Sequence, residues 1–377
     1  MNAERDERIP AGEPVSNTRP LEFGWFLPTA GDATSLGDRA GHVPASLELF
    51  DRVITAAEAA GFEYLLVPVN TDCWEAWVTA AIMIGRSRSI RMLVAARPGY
   101  IAPFLVAKMV STFDQLSGGR ISVNLIAGQS EAETLAEGIR ERKETRYEVM
   151  AEEVRILKAL WTTPGHVDFS GAFHELSGAR LVPRTLQQPH PRFYLGGGSA
   201  QAWAISAEHA DVHLFWGDTY ERIESNIASI RSLAEHHRRG DAIRFGMRLQ
   251  IVCRETEAAA WDAAHALVAN VTDRHTERLR SHVASSAANA RVQELAATHG
   301  DTIEDNLWTG ITRIRPGAGI AIVGDPQQCA AVLQRYIDLG CDSFCLSGYL
   351  HDEEATRFAQ WVRPIITGRN PGRLVAV

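Results

Sequence analysis

At 377 residues the chain is longer than a single compact core usually needs, which leaves two domains or one large α/β barrel. Its 45% hydrophobic and 22% charged residues exclude a fibrous or wholly disordered chain. With 38 basic against 46 acidic residues the net charge is −8, which argues against a phosphate-backbone binder, so nucleic acid is not an expected partner.

The segment 1–19 carries acids and prolines and no apolar centre, and reads as a disordered tail without the make-up of a secretory signal. No uncharged apolar run approaches the roughly 18 residues needed to span a bilayer. A cytoplasmic protein that does not associate with membranes is the expectation. The five cysteines, Cys73, Cys253, Cys329, Cys341 and Cys345, form no CxxC pair and no zinc-like spacing with histidine, so free thiols and no metal are expected.

From residue 20 onward, short runs rich in β-branched and aromatic residues alternate with longer amphipathic stretches. The runs are 22–27, 64–68, 90–96, 121–126, 192–195, 212–216, 245–253 and 343–346. Their near-continuous apolarity suits parallel strands covered on both faces. Between them, 47–60 reads as a helix stopped by Gly61, and 147–161 repeats Met150, Val154, Leu157 and Trp161 at helical spacing. Eight such units predict a (β/α)₈ TIM barrel over 20–367, with a doubly wound open sheet as the competitor. Two segments break the repeat: 162–190 reads as an excursion on the rim, and the polar stretch 273–319 reads as a mobile lid. The segment 368–377 reads as an arm that either dangles or packs on a neighbouring subunit.

A barrel carries its chemistry at the carboxyl ends of its strands. Asn124 and Ala127 lie there, at or just past the end of the fourth run, where small residues leave room for a flat ligand. After the fifth run, Gly196, Gly197 and Gly198 lead into Ser199 at a helix start, a cradle for phosphate. A structural turn with a serine N-cap accounts for the same spacing. Trp216, Arg248, Gln250, Arg315, Tyr349 and His351 come from later strand ends and would converge on one pocket. Two guanidinium forks with aromatic walls describe a site for a small oxyanion beside a flat ring. Singly, each arginine also reads as a surface ion pair, Trp216 and Tyr349 as core, and His351 as a solvated helix start. Cys73 reads either as an oxidisable group at the pocket mouth or as a buried, inert thiol. Zinc hydrolase, serine hydrolase and calcium-loop motifs are absent from the sequence.

The segments VPVNTDCWEAW, FDQLSGGRISVNLIAG, RYEVMAEEVRILKALW, QQPHPRFYLGGGSAQAWAISAEHADVHLFWGD, FGMRLQIVCRETEAAAW, NLWTGITRIRPGAG and LSGYLHDEEA occur in order between 21 and 366. Together they closely resemble the flavin-dependent alkanesulfonate monooxygenases of the bacterial luciferase-like superfamily. The resemblance implies a luciferase-like (β/α)₈ barrel that takes reduced FMN from a separate NAD(P)H-dependent FMN reductase. With O₂ it would cleave the C–S bond of an organosulfonate to a carbonyl product and sulfite. It further implies that Arg248 and Arg315 hold the sulfonate, with Trp216, Tyr349 and His351 around the same cavity and Cys73 as the family's active-site cysteine. Asn124, Ala127, Tyr147 and Ser199, with Gly197 and Gly198, would surround the flavin and its phosphate, and a homodimer or homotetramer is expected.

One position departs from the pattern: the family's Arg-Leu-His reads Arg248, Leu249, Gln250 here. An amide can donate a hydrogen bond but does not titrate near neutral pH. Simple alkanesulfonates, methanesulfonate, sulfoquinovose and dimethyl sulfone all stay open as substrates, although two arginines favour an anion over a neutral sulfone. The rival activities are F420-dependent hydride transfer on the same barrel and non-catalytic ligand binding.

Overall fold

The computed structural model describes residues 19–128, 130–283 and 286–374. The segment 1–18, Gln129 and the last three residues of the predicted arm lie outside the described residues.

Eight strands close into a parallel barrel: β1 (Glu22–Phe26), β2 (Tyr64–Val67), β3 (Arg91–Ala96), β4 (Ile121–Leu125), β5 (Phe193–Gly196), β6 (Val212–Trp216), β7 (Arg244–Cys253) and β8 (Cys341–Ser347). Each pairs with its neighbours, and the β6–β7 and β8–β1 ladders close the ring. The open doubly wound sheet is thereby excluded. All eight predicted runs are barrel strands, because residues such as Val94, Val123 and Ile251 face buried layers whichever way they point. Helices follow the strands, among them α1 (Leu47–Ala59), α2 (Ala76–Ile84), α3 (Pro103–Ser117), α4 (Lys143–Thr162), α5 (Ala200–His209), α6 (Tyr220–His236), α7 (Pro326–Asp338) and α8 (His351–Arg357). Their apolar stripes supply the outer core, as Val53 and Ile54 do from α1 and Val154 and Leu157 from α4.

The barrel interior is plugged at its amino-terminal end by charge. Glu22 receives Arg91 at 2.8 Å and the hydroxyls of Tyr194 at 2.6 Å and Ser343 at 3.2 Å. Burial alone would raise this carboxyl, but Arg91, Arg244, Arg192 and the Tyr194 hydroxyl outweigh it and hold its pKa down to about 2. Above this plug lies an apolar layer of Tyr64, Leu66, Leu93 and Leu214, and above that the barrel opens at its carboxyl end.

The rim segment 162–190 contains an antiparallel hairpin, Val167–Ser170 with Glu175–Ala179. Glu152 of α4 fixes its turn by accepting from the backbone N–H groups of Ala172, Phe173 and His174. The segment 273–319, expected as a loop, is largely regular: helices Asp273–Val283 and Ala287–His299 precede a short hairpin that extends the sheet beside Ala321–Gly324. Its composition hid the helices, because the second is built on Ala, Asn and Gln and buries only Asn289, Val292 and Leu295. At the carboxyl end, the Arg373 carbonyl accepts from the Leu21 N–H, and Asn370 is buried with its amide on Gln334 and Ile366. Residues 368–374 therefore lie against the chain's own barrel.

Candidate active site

A cavity of about 1300 Å³, counting the space open to solvent, occupies the carboxyl mouth of the barrel. Asn124, Ala127, Tyr147, Gly197, Gly198, Ser199, Trp216, Arg248 and Arg315 all line it, so the structure brings together nine of the residues singled out in the sequence.

On one side stands the glycine turn after β5. Gly197 has φ +140, and a Cβ there would lie 3.0 Å from the Ala202 side chain. A Cβ on Gly196 would approach the Leu214 carbonyl to 2.9 Å. Only glycine keeps the turn open at this closeness. Ser199 caps α5 by accepting from Ala202 N–H at 3.2 Å, so the structural role foreseen for it exists, and its residue also faces the cavity. The Tyr147 phenol lies against the same turn, with burial pushing its pKa up and the Ser199 hydroxyl pulling it down. Two cations missed in the sequence complete this side, Lys143 and Arg146 in the first turn of α4. Arg146 is buried and braces the loop after β4, donating to the carbonyls of Ala127 at 2.8 Å and Glu141 at 2.7 Å. Its signal was available: a basic residue beside Tyr147, at the amino end of a helix where a structural cation is disfavoured.

On the opposite side, Arg248 and Arg315 converge on the ring of Phe26. The guanidinium carbons stand 4.7 and 5.2 Å from its centroid. Arg248 is 5% exposed, donates through Nη1 to the Leu249 and Cys345 carbonyls, and leaves Nη2 buried without a partner. Burial pulls its pKa down to about 10, and the nearby charge of Arg315 acts in the same direction. Arg315 donates to the Ala318 carbonyl at 3.3 Å. Among the described residues neither arginine forms an ion pair. Two like charges over one ring, with a desolvated N–H to spare, are an arrangement that an oxyanion would neutralise. Phe26 is the key residue that the sequence did not disclose; it ends β1, yet its apolar neighbours made it look like core.

Four of the predicted residues, His351, Tyr349, Gln250 and Cys73, do not line the cavity. His351 is 2% exposed, and its Nδ1 lies 2.9 Å from Asp32 Oδ1 while its backbone N–H donates to Oδ2 at 2.8 Å. Burial would raise the Asp32 carboxyl, but His351 and the backbone N–H groups of His351 and Ala33 leave it below its ordinary range. The imidazole packs 5.8 Å from the Phe26 ring and 5.4 Å from that of Tyr349, so His351 and Tyr349 back the arginine platform. Gln250 is fully buried, accepting from the Ser347 hydroxyl at 2.7 Å and donating to the Ala318 carbonyl at 3.2 Å. Cys73 is half-buried next to Asn70, which does line the cavity, and burial pushes its thiol up, away from the reactive thiolate.

A closed barrel with its cavity at the carboxyl mouth and an added segment folded beside it is the luciferase-like (β/α)₈ architecture. The chain belongs to the luciferase-like monooxygenase family, whose profile matches residues 21–343. Solved structures with the same fold include EDTA monooxygenase (EmoA) from Chelativorans sp. BNC1, with a TM-score of 0.74 at 17% identity over 93% of this chain and 94% of that one. DmoA from Hyphomicrobium sulfonivorans has a TM-score of 0.76 at 18% identity over 95% and 89%. The coenzyme F420-dependent tetrahydromethanopterin reductase from Methanopyrus kandleri has a TM-score of 0.66 at 18% identity over 92% and 99%. At such identities the likeness is one of fold. No helix among the described residues is long and apolar enough to cross a membrane.

Proposed function

We propose that this chain is the oxygenase of a two-component system, using reduced FMN and O₂ to cleave the C–S bond of an organosulfonate. The observation that carries the reading is the pair Arg248 and Arg315, without an ion-pair partner among the described residues, over Phe26 at the edge of the cavity in the barrel mouth. Ser199, Tyr147 and the Gly197–Gly198 turn would hold the FMN phosphate, with Lys143 close by and Asn124 and Ala127 beside the ring. Reduced FMN bound there would supply the two electrons that let one oxygen atom of O₂ enter the substrate while the other leaves as water.

The chain's own groups have definite tasks in this reaction. Arg248 and Arg315 bind the sulfonate and stay beside it as the leaving sulfite gathers charge, so their attraction strengthens as the bond breaks. Phe26, Trp216 and the segment carrying Arg315 keep water from the reacting carbon. The balance is one sulfonate, one reduced FMN and one O₂ giving one aldehyde, one bisulfite, one FMN and one water. A separate NAD(P)H-dependent FMN reductase supplies the reduced flavin, and the chain assembles as a homodimer or homotetramer in the cytoplasm.

The test is sulfite release from a sulfonate panel with a reductase, NADH and FMN. Turnover of at least one sulfonate with stoichiometric sulfite supports the reading. Tight binding of F420, with oxygen-independent hydride transfer and no sulfite, would replace it.

A further inference from the structure

A second chamber of about 740 Å³, again counting open space, adjoins the first and shares Trp216, Gly197, Gly198, Ala287 and Ala288 with it. It lies between α6 and the helix Ala287–His299. The indole of Trp203 walls one side and is pinned in place by donating to the Gly197 carbonyl at 3.1 Å. Asp218 and Arg291 also line it but satisfy each other in a two-pronged ion pair at 2.8 and 2.9 Å. That leaves Arg222 and Asn226, one turn apart on α6, whose side chains have no hydrogen-bond or ion-pair partner among the described residues. The chamber thus offers, beside two tryptophans, an amide and at its solvent side an exposed guanidinium with no protein partner among the described residues, the complement of an aromatic ring bearing an oxyanion.

Its position relative to the headgroup site is fixed by register. Trp216 lies opposite Arg248 in the β6–β7 ladder, and adjacent strands are about 5 Å apart. A substrate gripped at Arg248 therefore needs only a short linker past Trp216 to reach the chamber. We infer that the substrate has two ends: a sulfonate at Arg248 and Arg315, and an aromatic ring carrying a carboxylate-like anion between Trp203 and Trp216, held by Arg222 and Asn226. This deepens the organosulfonate reading and rests on it for the identity of the first end.

Isothermal titration of the FMN-loaded protein tests it with propane-1-sulfonate, 3-phenylpropane-1-sulfonate and 3-(4-carboxyphenyl)propane-1-sulfonate. The carboxylate is expected to tighten binding over the phenyl compound by about two- to five-fold, the worth of an ion pair to an exposed arginine. Arg222→Ala should erase that gain and leave propane-1-sulfonate unchanged, while Trp203→Ala weakens both aryl compounds. A carboxylate that adds nothing, or whose gain survives Arg222→Ala, overturns the second site. Sulfite assays on the same compounds separate the two readings. Arg222-dependent binding without sulfite release keeps the chamber and removes the sulfonate chemistry; sulfite from propane-1-sulfonate with no aryl gain does the reverse.

Discussion

Gln250 and Arg315 meet at one atom: the Ala318 carbonyl oxygen accepts from Gln250 Nε2 at 3.2 Å and from Arg315 Nη1 at 3.3 Å. The other end of the amide accepts from Ser347, so one side chain joins β7, β8 and the loop that carries Arg315. Gln250 thus braces the loop that carries Arg315 without lining the cavity itself.

Replacing this amide by an apolar side chain should therefore act on substrate binding through Arg315. Gln250→Leu removes both bonds and leaves the Ser347 hydroxyl buried and unpaired, at about 1–3 kcal/mol of stability. The expected kinetic signature is a KM for sulfonate raised by roughly ten-fold, with the Kd for FMN unchanged by fluorescence titration. An unaltered KM would show that Arg315 needs no such anchor.

Arg248 is held against its own solvation. Its pKa lies near 10 in the fold, below the 12.5 of a free guanidinium, so the charged form is the one that folding disfavours. Below pH of about 9 the group is charged in both states, and the penalty is constant across that range. Arg248→Met should accordingly stabilise the ligand-free protein, by about 1–3 kcal/mol and independently of pH between about 6 and 9. It should abolish sulfonate binding at the same time. Thermal denaturation with and without sulfonate measures both, and a destabilised Arg248→Met protein would mean that the arginine is compensated in the free state.

Arg315→Ala separates the two sides of the cavity. Tyr147, Ser199 and the glycine turn, the groups proposed to hold FMN, lie across from the arginine pair, so flavin affinity should change less than about three-fold, whereas sulfite release should fall by at least about a hundred-fold. Loss of flavin binding in proportion to turnover would assign Arg315 to the cofactor instead.

The barrel was legible because burial on both faces leaves an unusual imprint, eight compact apolar runs, and because strand ends locate the site without any further information. Trp216, Arg248 and Ser199 followed from that rule. Phe26 obeys it equally, but a phenylalanine at the end of EFGWFL looks no different from its buried neighbours Phe23 and Trp25. Arg146 could have been noticed from its place beside Tyr147 at the amino end of a helix, but what it does there, bracing backbone carbonyls, leaves no trace in residue type. The helices of 273–319 escaped because they bury few apolar side chains. The charged plug depends on exact strand starts: Glu22, Arg91 and Arg244 each open a strand and so share one end of the barrel, but the runs 90–96 and 245–253 begin one residue off those starts.

Glu153 on α4 couples pH to stability at the rim. It is 4% exposed and burial pushes its pKa up to about 7, with Glu152 adding to the rise and the Gly99 N–H opposing it. The unfolded chain releases this proton near 4.5, so between pH 4.5 and 7 the folded state binds more protons and stability falls as pH rises. Glu153→Gln should be nearly neutral at pH 4 and stabilising by about 1–3 kcal/mol at pH 8. Denaturation midpoints of the two proteins across pH give the answer directly; parallel curves would show that burial does not hold the Glu153 proton in the fold.

Asp218 and Arg291 latch the helix Ala287–His299 to the loop after β6. Asp218 is itself fixed, its carbonyl accepting from the buried Tyr336 hydroxyl at 2.8 Å. Because the Arg291 side chain keeps 34% of its exposure, solvent screens the pair and its worth is about 1 kcal/mol or less. That is still a roughly five-fold change in the equilibrium between a seated and a lifted helix. Asp218→Asn should therefore speed amide exchange in 287–299 while leaving the barrel strands protected. With the cover lifted more often, water reaches the flavin pocket and a larger share of consumed NADH should appear as hydrogen peroxide in place of sulfite. Added salt should move the wild type toward the variant, since an exposed pair is screened over about 10 Å at 0.1 M. Equal exchange rates and equal coupling in the two proteins would show that apolar contacts such as Val292 and Leu295 alone keep the segment closed.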